Sequence, residues 1–365
     1  MARFMIAHLQ DGELDGRRIL QEETARQMHS QLFSPDPRLN GGMAHGFKES
    51  TVNGQRVIWH DGGLTQFHSG LWLMPEEKVG LFLSNNSTHG FMAIKPVIKA
   101  FLDHYYPVTE SADRHSAAGF AERIAPYLGE YSEAESSFTT HEKIFGAFSP
   151  INPGLDGDGA LVISQPGLVQ RFAEVEPGLL YEIGEPDNQW VYGTGPDGRL
   201  FLMPSEPYPK IKTPWYGTGN LHLPLFLSGT LLFLGALIAW PIGSFRRRKR
   251  SPAPQPAPLP AHLARWDAAL FGLLWLLLLL GITSIFIDTL PGFGGPRIIY
   301  EIVPLLNILL SLSYVLVGLA LPIPVFAVLA WVRRYWSLGG RIFYSLLALM
   351  ALLLTWAMVY WNLFL

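Results

Sequence analysis

Four apolar stretches in the C-terminal part constrain the fold of this chain more than any other feature. Each is long enough for a helix to cross the roughly 30 Å hydrocarbon core of a bilayer, which takes about 20 residues. They are Leu223–Phe245, Ala268–Ile287, Ile302–Val332 and Ile342–Leu365. The third contains Pro304, Pro322 and Pro324, and we interpret it as one tilted or kinked span because it is too short for two spans joined by a turn. The sequence therefore predicts four transmembrane helices.

Charge separates these spans from the rest of the chain and predicts their orientation. Residues 223–365 carry ten Lys or Arg against three Asp or Glu, so residues 1–222 have a net charge of −10 within the total of −3. Nine of the ten basic residues lie between the first and second spans or between the third and fourth, which the positive-inside rule assigns to the cytoplasm. We predict a multi-pass protein of the bacterial plasma membrane, with residues 1–222 extracytoplasmic. No nucleic-acid partner is expected, since the acidic outer part would repel phosphate.

The spans favour an anchoring role over transport. Asn307 is the only strongly polar residue well inside them, whereas transport pathways usually need buried charges. Aromatic residues near the span ends are typical of interfacial anchors: Trp215, Tyr216, Trp240, Trp266, Trp331 and Trp336.

An outer domain needs an export signal, and the first residues do not resemble one. Residues 1–11 contain only a six-residue apolar stretch followed by acidic residues, which is too short for the core of a signal peptide. We therefore expect the chain to be a fragment of a longer protein.

Residues 1–107 combine helical and strand patterns. Helices are predicted at residues 2–9, 22–29 and 91–106, and β-prone runs at residues 56–59, 69–74 and 79–84. The order predicts two helices, an antiparallel meander and a closing helix.

In this order, the motifs resemble the C-terminal third of the serine β-lactamase-related hydrolases, which include class C β-lactamases, penicillin-binding-protein-like enzymes and esterases. The resemblance depends on Ile19-Leu20-x-Glu22-Glu23-Thr24, Gly46-Phe47, Val57-Ile-Trp-His60-Asp61-Gly62-Gly63, and Pro75-Glu-Glu-Lys-Val-Gly80 through Asn85-Asn86-Ser87. It implies catalysis through an acyl-serine, built from Ser-x-x-Lys, Tyr-x-Asn and a strand ending in Lys-Thr-Gly or His-x-Gly. Only the third element matches, as His60-Asp61-Gly62. We expect the nucleophile and the base to be absent from the chain.

The resemblance assigns roles to His60, Asp61, Gly62 and Gly63. Glycine lets the backbone approach a carbonyl closely, and backbone N–H groups stabilise the oxyanion of acyl transfer. By resemblance, Gly63 supplies one such N–H, and His60 takes the place of the family's Lys and would donate to the substrate. Asp61 stands where the family has Thr, and its carboxylate would disfavour an anionic ligand. The alternative is a plain hairpin turn, and we expect His68 to be solvated or hydrogen-bonded rather than a metal ligand.

Beyond this region the sequence predicts a linker and a second folded part. Residues 108–123 are polar, and residues 124–213 contain short β-prone runs separated by turns, near residue 131 and at 138–140, 161–164, 179–183, 189–192 and 199–203. This part resembles the lipocalin-like β-domain of some relatives and predicts a small barrel or meander. The remaining predicted regions are a first transmembrane helix at 214–245, a basic, Pro-rich cytoplasmic loop at 246–265, and three further transmembrane helices at 266–365.

The predicted fold class is α+β, the C-terminal part of a β-lactamase-like domain with an antiparallel sheet and helices, followed by a small all-β domain and four transmembrane α-helices. The predicted function is a membrane-anchored serine hydrolase of a small ester, amide or peptide, inactive as this chain alone. No metal or organic cofactor is expected, and the absence of Cys excludes thiolate chemistry. The alternative is a non-catalytic, membrane-anchored extracytoplasmic binding or scaffold module.

Overall fold

The computed structural model describes residues 1–64, 66–108, 114–147, 150–165, 168–206, 208–250, 258–289, 296–299, 301 and 303–364. The chain divides into two compact units: the first is Met1–Glu135 with Pro150–Thr213, and the second is Ser136–Ser149 with Pro214–Leu365. The predicted fold class is confirmed. The structure contains an antiparallel sheet with helices, a second antiparallel sheet and four long apolar helices. Residues 109–113 of the predicted linker and 251–257 of the predicted cytoplasmic loop lie outside the described residues.

The first unit opens with the predicted helices and meander. Its elements are α1 (Ala2–Leu9), β1 (Glu13–Leu14), β2 (Arg17–Arg18), α2 (Glu22–His29), β3 (Gly41–Met43), β4 (Lys48–Val52), β5 (Gln55–Leu64), β6 (Phe67–Met74), β7 (Val79–Asn85) and α3 (Phe91–Tyr105). Strands β3 to β7 form an antiparallel sheet in sequence order. Asn53 and Gly54 connect β4 to β5 with φ of 50° and 74°, as the favoured two-residue hairpin turn requires.

The two faces of this sheet are covered by different helices, because successive residues of a strand point to opposite faces. On one face, which we call the α1 face, Leu9 of α1 packs with Phe47, Ile58, Leu71 and Leu73. On the other, the α3 face, Ile94 and Ile98 of α3 pack with the strand residues Val57, Trp59 and Trp72. Gly70 makes room for the Trp72 indole, since a Cβ there would lie 2.0 Å from the ring.

The second part of this unit is a curled antiparallel sheet. Its elements are α4 (Phe120–Ile124), β8 (Tyr131–Glu133), β9 (Gly154–Leu155), β10 (Leu161–Gln165), β11 (Leu168–Glu176), β12 (Leu179–Glu182), β13 (Glu185–Thr194), β14 (Leu200–Pro204) and β15 (Lys210–Lys212). The order is β8-β15-β14-β13-β12-β11-β10-β9. Tyr131 and Ile151 exchange backbone N–H···O bonds of 2.9 and 3.1 Å, so the sheet curls back towards its first strand. Phe120 and Ile124 of α4 are buried in its core.

The strand predicted at residues 138–140 is wrong. Phe138–Thr140 form a bend, and a short 3₁₀ helix follows at His141–Ala147. This segment belongs to the second unit, where Ile144 and Ala147 pack into the core of the apolar helices. Tertiary contacts with those helices therefore override the local β propensity.

The second unit contains four helices, among the described residues, that are long and apolar enough to cross a membrane, as in a multi-pass membrane protein. These four spans comprise five helical elements: α5 (Gly219–Arg250), α6 (Leu259–Ile287), α7 (Pro304–Ala320), α8 (Pro322–Val332) and α9 (Leu338–Tyr360). Helices α7 and α8 meet at Leu321 and together make one span, which confirms the prediction of a single span. Helix α5 continues past Phe245 through the basic run, so the loop predicted from residue 246 begins later.

Candidate functional site

The four candidate residues lie in the second half of β5. Strand β6 pairs with β5 as far as Leu64↔Phe67, whereas β4 pairs with β5 only as far as Lys48↔Trp59. The segment His60–Leu64 therefore has a neighbouring strand of the sheet on one side only. Since alternate residues of an antiparallel strand direct their N–H groups to opposite sides, some N–H groups of this segment point to the side where β4 has ended. The alternative of a hairpin turn at His60–Gly63 is wrong, because these residues are paired strand residues.

The register places the candidate side chains on opposite faces. His60 is paired with Leu71 and shares the α1 face, whereas Asp61 and Gly63 share the α3 face with Trp59. His60 and Asp61 therefore cannot approach a ligand from the same face. His68, paired with Gly63, also lies on the α3 face and cannot share a metal ion with His60. Within the described ranges, no group of three or more His, Cys, Asp or Glu side chains could hold a metal.

Asp61 is held by a lysine from the neighbouring strand. The Lys48 Nζ donates to Asp61 Oδ1 at 2.7 Å and lies 4.4 Å from the centroid of the Trp59 ring and 4.9 Å from that of Tyr208. Partial burial opposes ionisation of both groups, but their mutual hydrogen bond and charge outweigh it. The pKa of Asp61 is therefore lowered and the pKa of Lys48 raised, the latter helped by Tyr208.

The charges around the strand thus cancel in pairs. A second ion pair, Lys95 with Glu206, lies beside the first, with the Lys95 Nζ 5.2 Å from the Trp59 ring centroid. The carboxylate of Asp61 is offset by Lys48, so its negative charge does not stand alone beside the strand. The site has little net charge with which to select an anionic or a cationic ligand.

Gly63 is confined by its cross-strand neighbour. A Cβ at Gly63 would lie 3.0 Å from the His68 Nδ1, and the His68 ring packs against Phe91 with centroids 5.5 Å apart. The His68 Nε2 is buried and has no hydrogen-bond partner in the part of the chain that the structure describes. The expectation of a solvated or hydrogen-bonded His68 is therefore wrong for this nitrogen, because the ring is covered by an apolar side chain.

The expected absence of the Tyr-x-Asn pattern needs a correction, although Ser-x-x-Lys occurs nowhere in the sequence. Tyr360-Trp361-Asn362 matches the letters, but it lies at the end of α9 in the second unit. There the Tyr360 ring stacks on His222 with centroids 5.1 Å apart, and the Asn362 Nδ2 donates to the Phe138 carbonyl at 2.9 Å. These residues pack the helices.

Sequence reasoning missed Lys48 and Tyr208. A signal for Lys48 existed, because the Asn53-Gly54 turn fixes the register of the β4–β5 hairpin and brings Lys48 opposite Trp59. For Tyr208 the sequence holds no local signal, since it follows β14 and reaches Lys48 only through the packing of the first unit.

A second titratable pair lies close to α1. The His8 Nδ1 and the His29 Nε2 are 2.9 Å apart, and both side chains are buried beside the Phe47 ring. Burial lowers the pKa of His8. Burial, and secondarily the nearby His8, lowers the pKa of His29 to about 4. When both rings are neutral, one of these nitrogens can donate a hydrogen bond to the other. This bond joins α1 to α2.

Comparison with known proteins gives weak similarities only. No protein-family model matches the chain, and no curated protein matches it. Two solved structures of SurE, one with D-Leu, share 18% identity, have TM-scores of 0.34 and 0.32, and cover 57% and 53% of this chain. An octameric penicillin-binding protein homologue from Pyrococcus abyssi shares 16% identity over 56% of this chain, with a TM-score of 0.24. The chain spans 44% to 47% of the length of these structures, and superpositions this loose carry no functional argument.

Proposed function

We propose that this chain is part of a membrane-anchored, β-lactamase-related serine hydrolase and supplies the strand that binds the oxyanion. The observation that carries the proposal is the second half of β5, where Gly62 and Gly63 lie in a strand with a neighbour on one side only. Free backbone N–H groups on such a strand can donate to the oxygen of a tetrahedral intermediate. The attacking serine and its base come from a part that this sequence does not contain, and the acyl-serine forms on that part.

The chemistry around the strand is compatible with a neutral substrate. The ion pairs of Lys48 with Asp61 and of Lys95 with Glu206 are internally compensated, so the substrate needs no charge of its own at this position. An uncharged ester or amide carbonyl fits such a site. His60, on the α1 face, is the candidate donor to that substrate.

The test is labelling with a fluorescent fluorophosphonate, which traps activated serines. Membranes holding this chain alone should show no labelled band, and a gene extended upstream in frame should give a labelled product. In the extended protein, Gly63→Pro removes the N–H and should lower turnover by about 10²–10³-fold, the usual effect of losing one oxyanion donor. Gly63→Ala keeps the N–H but brings a Cβ to 3.0 Å from the His68 Nδ1, so it is combined with His68→Ala, and this double variant should stay within a few-fold of the parent. Equal losses in both variants would show that the N–H is not the cause.

We also propose that residues 1–222 are extracytoplasmic in a bacterial plasma membrane. The support is the basic run at the end of α5 and the arginines between α8 and α9, which belong to the same end of the helices if each span crosses once. A reporter fused after Leu365 should be active outside, and one inserted at Ser251 inside. The reverse pattern would contradict this orientation.

A second function is favoured by one observation. Ser-x-x-Lys is absent from the sequence, as in a non-catalytic binding or scaffold module derived from a hydrolase. The coding DNA upstream of Met1 discriminates the two. A frame that continues upstream into a signal peptide and Ser-x-x-Lys supports the enzyme, and an immediate stop codon supports the module.

A further inference from the structure

One segment of the chain leaves the curled sheet and joins the apolar helices. Residues 138–147, which we call the interface segment, lie between β8 and β9 in sequence but belong to the second unit. The segment includes Phe138, Lys143, Phe145 and the buried Ala147. Its contacts show which part of the helical unit it occupies.

The interface segment contacts the ends of three helices. The Ala147 carbonyl lies so close to the start of α5 that a Cβ at Gly219 would be 2.4 Å from it. At the end of α6, the Phe145 and Phe286 rings meet edge to face with centroids 5.6 Å apart. The start of α5 and the end of α6 lie at the same end of the bundle when each helix crosses once.

The third contact caps α9. The Lys143 Nζ donates to the Tyr360 carbonyl at 2.7 Å and lies 3.9 Å from the centroid of the Tyr360 ring. A cation at a helix C-terminus interacts favourably with the helix dipole. The Asn362 Nδ2, just past α9, donates to the Phe138 carbonyl at 2.9 Å. Both ends of the interface segment are thus fixed to the bundle.

The side chains that these contacts leave exposed are aromatic. Phe138 and Phe145 are 54% and 45% exposed, and the neighbouring Trp215 and Tyr216 are 77% and 45% exposed. They continue the apolar surface of the spans, where Ile287 at the end of α6 is also exposed. Aromatic rings together with a lysine are typical of the boundary between headgroups and acyl chains.

We propose that the interface segment lies in the headgroup layer of the bilayer, at the end of the helices opposite the basic run. It is a membrane contact in addition to the four spans, and it is made by a segment inserted between two strands of the β-sheet. The partner is the lipid surface, because the segment is continuous with the lipid-facing surface of the helices.

The chain contains no cysteine, so a single introduced cysteine places a fluorescent label at one position. Phe145→Cys and Phe138→Cys are labelled with the environment-sensitive dye NBD, and the full chain is placed in nanodiscs of phosphatidylcholine and phosphatidylglycerol. The matched control is Val169→Cys, an apolar residue 66% exposed in β11 of the other unit. Nanodiscs with a nitroxide on the lipid headgroup, or deep in the acyl chain, report the depth of each label.

Labels at positions 138 and 145 should emit at shorter wavelength than the label at 169, and headgroup nitroxide should quench them at least twofold more strongly. Emission and quenching equal to those at 169 would overturn the proposal. Stronger quenching by the deep nitroxide than by the headgroup nitroxide would also overturn it, since the segment would then lie in the hydrocarbon core. Position 138 keeps the test valid if a label at 145 disturbs the contact with Phe286.

Discussion

Acidification should loosen α1 and α2 through the buried pair of His8 and His29. In the folded chain the pKa of His29 is lowered to about 4, chiefly by burial, then by His8, with Arg56 and Lys78 adding to the effect and Asp11 opposing it. In the unfolded chain the imidazole has its ordinary pKa of about 6.5. Because the fold favours the neutral ring, its contribution is fully present above pH 6.5 and is lost as the pH falls towards 4.

The magnitude follows from the difference between the two pKa values. Between pH 7 and pH 4.5, His29 alone should remove roughly 2 kcal/mol from the free energy of unfolding. A change of this size raises the population of the locally opened state by roughly 30-fold. The pH range stays above the values at which carboxylates such as Asp61, whose pKa is lowered, become protonated.

Hydrogen exchange of the full chain in nanodiscs measures this loss locally. Protection of the peptides covering α1 and α2, corrected for the intrinsic pH dependence of exchange, should fall between pH 7 and 4.5, whereas the buried strand β10 should change little. His29→Gln keeps a donor and an acceptor but does not titrate, so it should remove most of the pH dependence. An unchanged pH dependence in His29→Gln, or constant protection of α1 and α2 in the parent, would refute the reasoning.

Three further experiments test the packing and the site. Gly70→Ala places a Cβ 2.0 Å from the Trp72 ring and should destabilise the first unit by about 1–3 kcal/mol, seen as a lower Tm. In the helices, the Trp275 Nε1 donates to the Thr230 Oγ1 at 3.1 Å, and a double-mutant cycle of W275F and T230V should give a coupling of about 0.6 kcal/mol. A coupling near zero would contradict the hydrogen bond. In an upstream-extended enzyme, His60→Ala should slow fluorophosphonate labelling at least tenfold, and unchanged labelling would remove His60 from the site.

The sequence predicted the elements whose signal is local. Hydropathy and proline placement are properties of a single stretch, so the spans could be predicted, including the one that α7 and α8 share. The helices and the meander of residues 1–107 follow from periodicity in the same way. The strand predicted at residues 138–140 failed because contacts of Phe145 and Lys143 with distant helices decide that segment, and no local pattern records them.

The candidate site could likewise be predicted only where its features depend on local sequence. The placement of His60 and Asp61 on opposite faces follows from the twofold period of a strand, and it could have been predicted once β5 was identified. The partner of Asp61 required the register of a neighbouring hairpin, and Tyr208 required the packing of the whole first unit. Contacts that join segments far apart in sequence, such as Lys48 with Tyr208, are set by tertiary structure alone.

The exposed segment His60–Leu64 presents different side chains on the two faces of β5. On the α3 face, Phe91 covers His68, and the Asp61 carboxylate is taken by Lys48. On the α1 face, helix α1 covers Leu71 but leaves His60 and Leu64 exposed. Under the proposed function, a carbonyl that accepts from the N–H groups of this segment would meet the exposed His60 on the α1 face. Under that proposal, the nucleophile would have to reach the segment from the side on which β4 has ended.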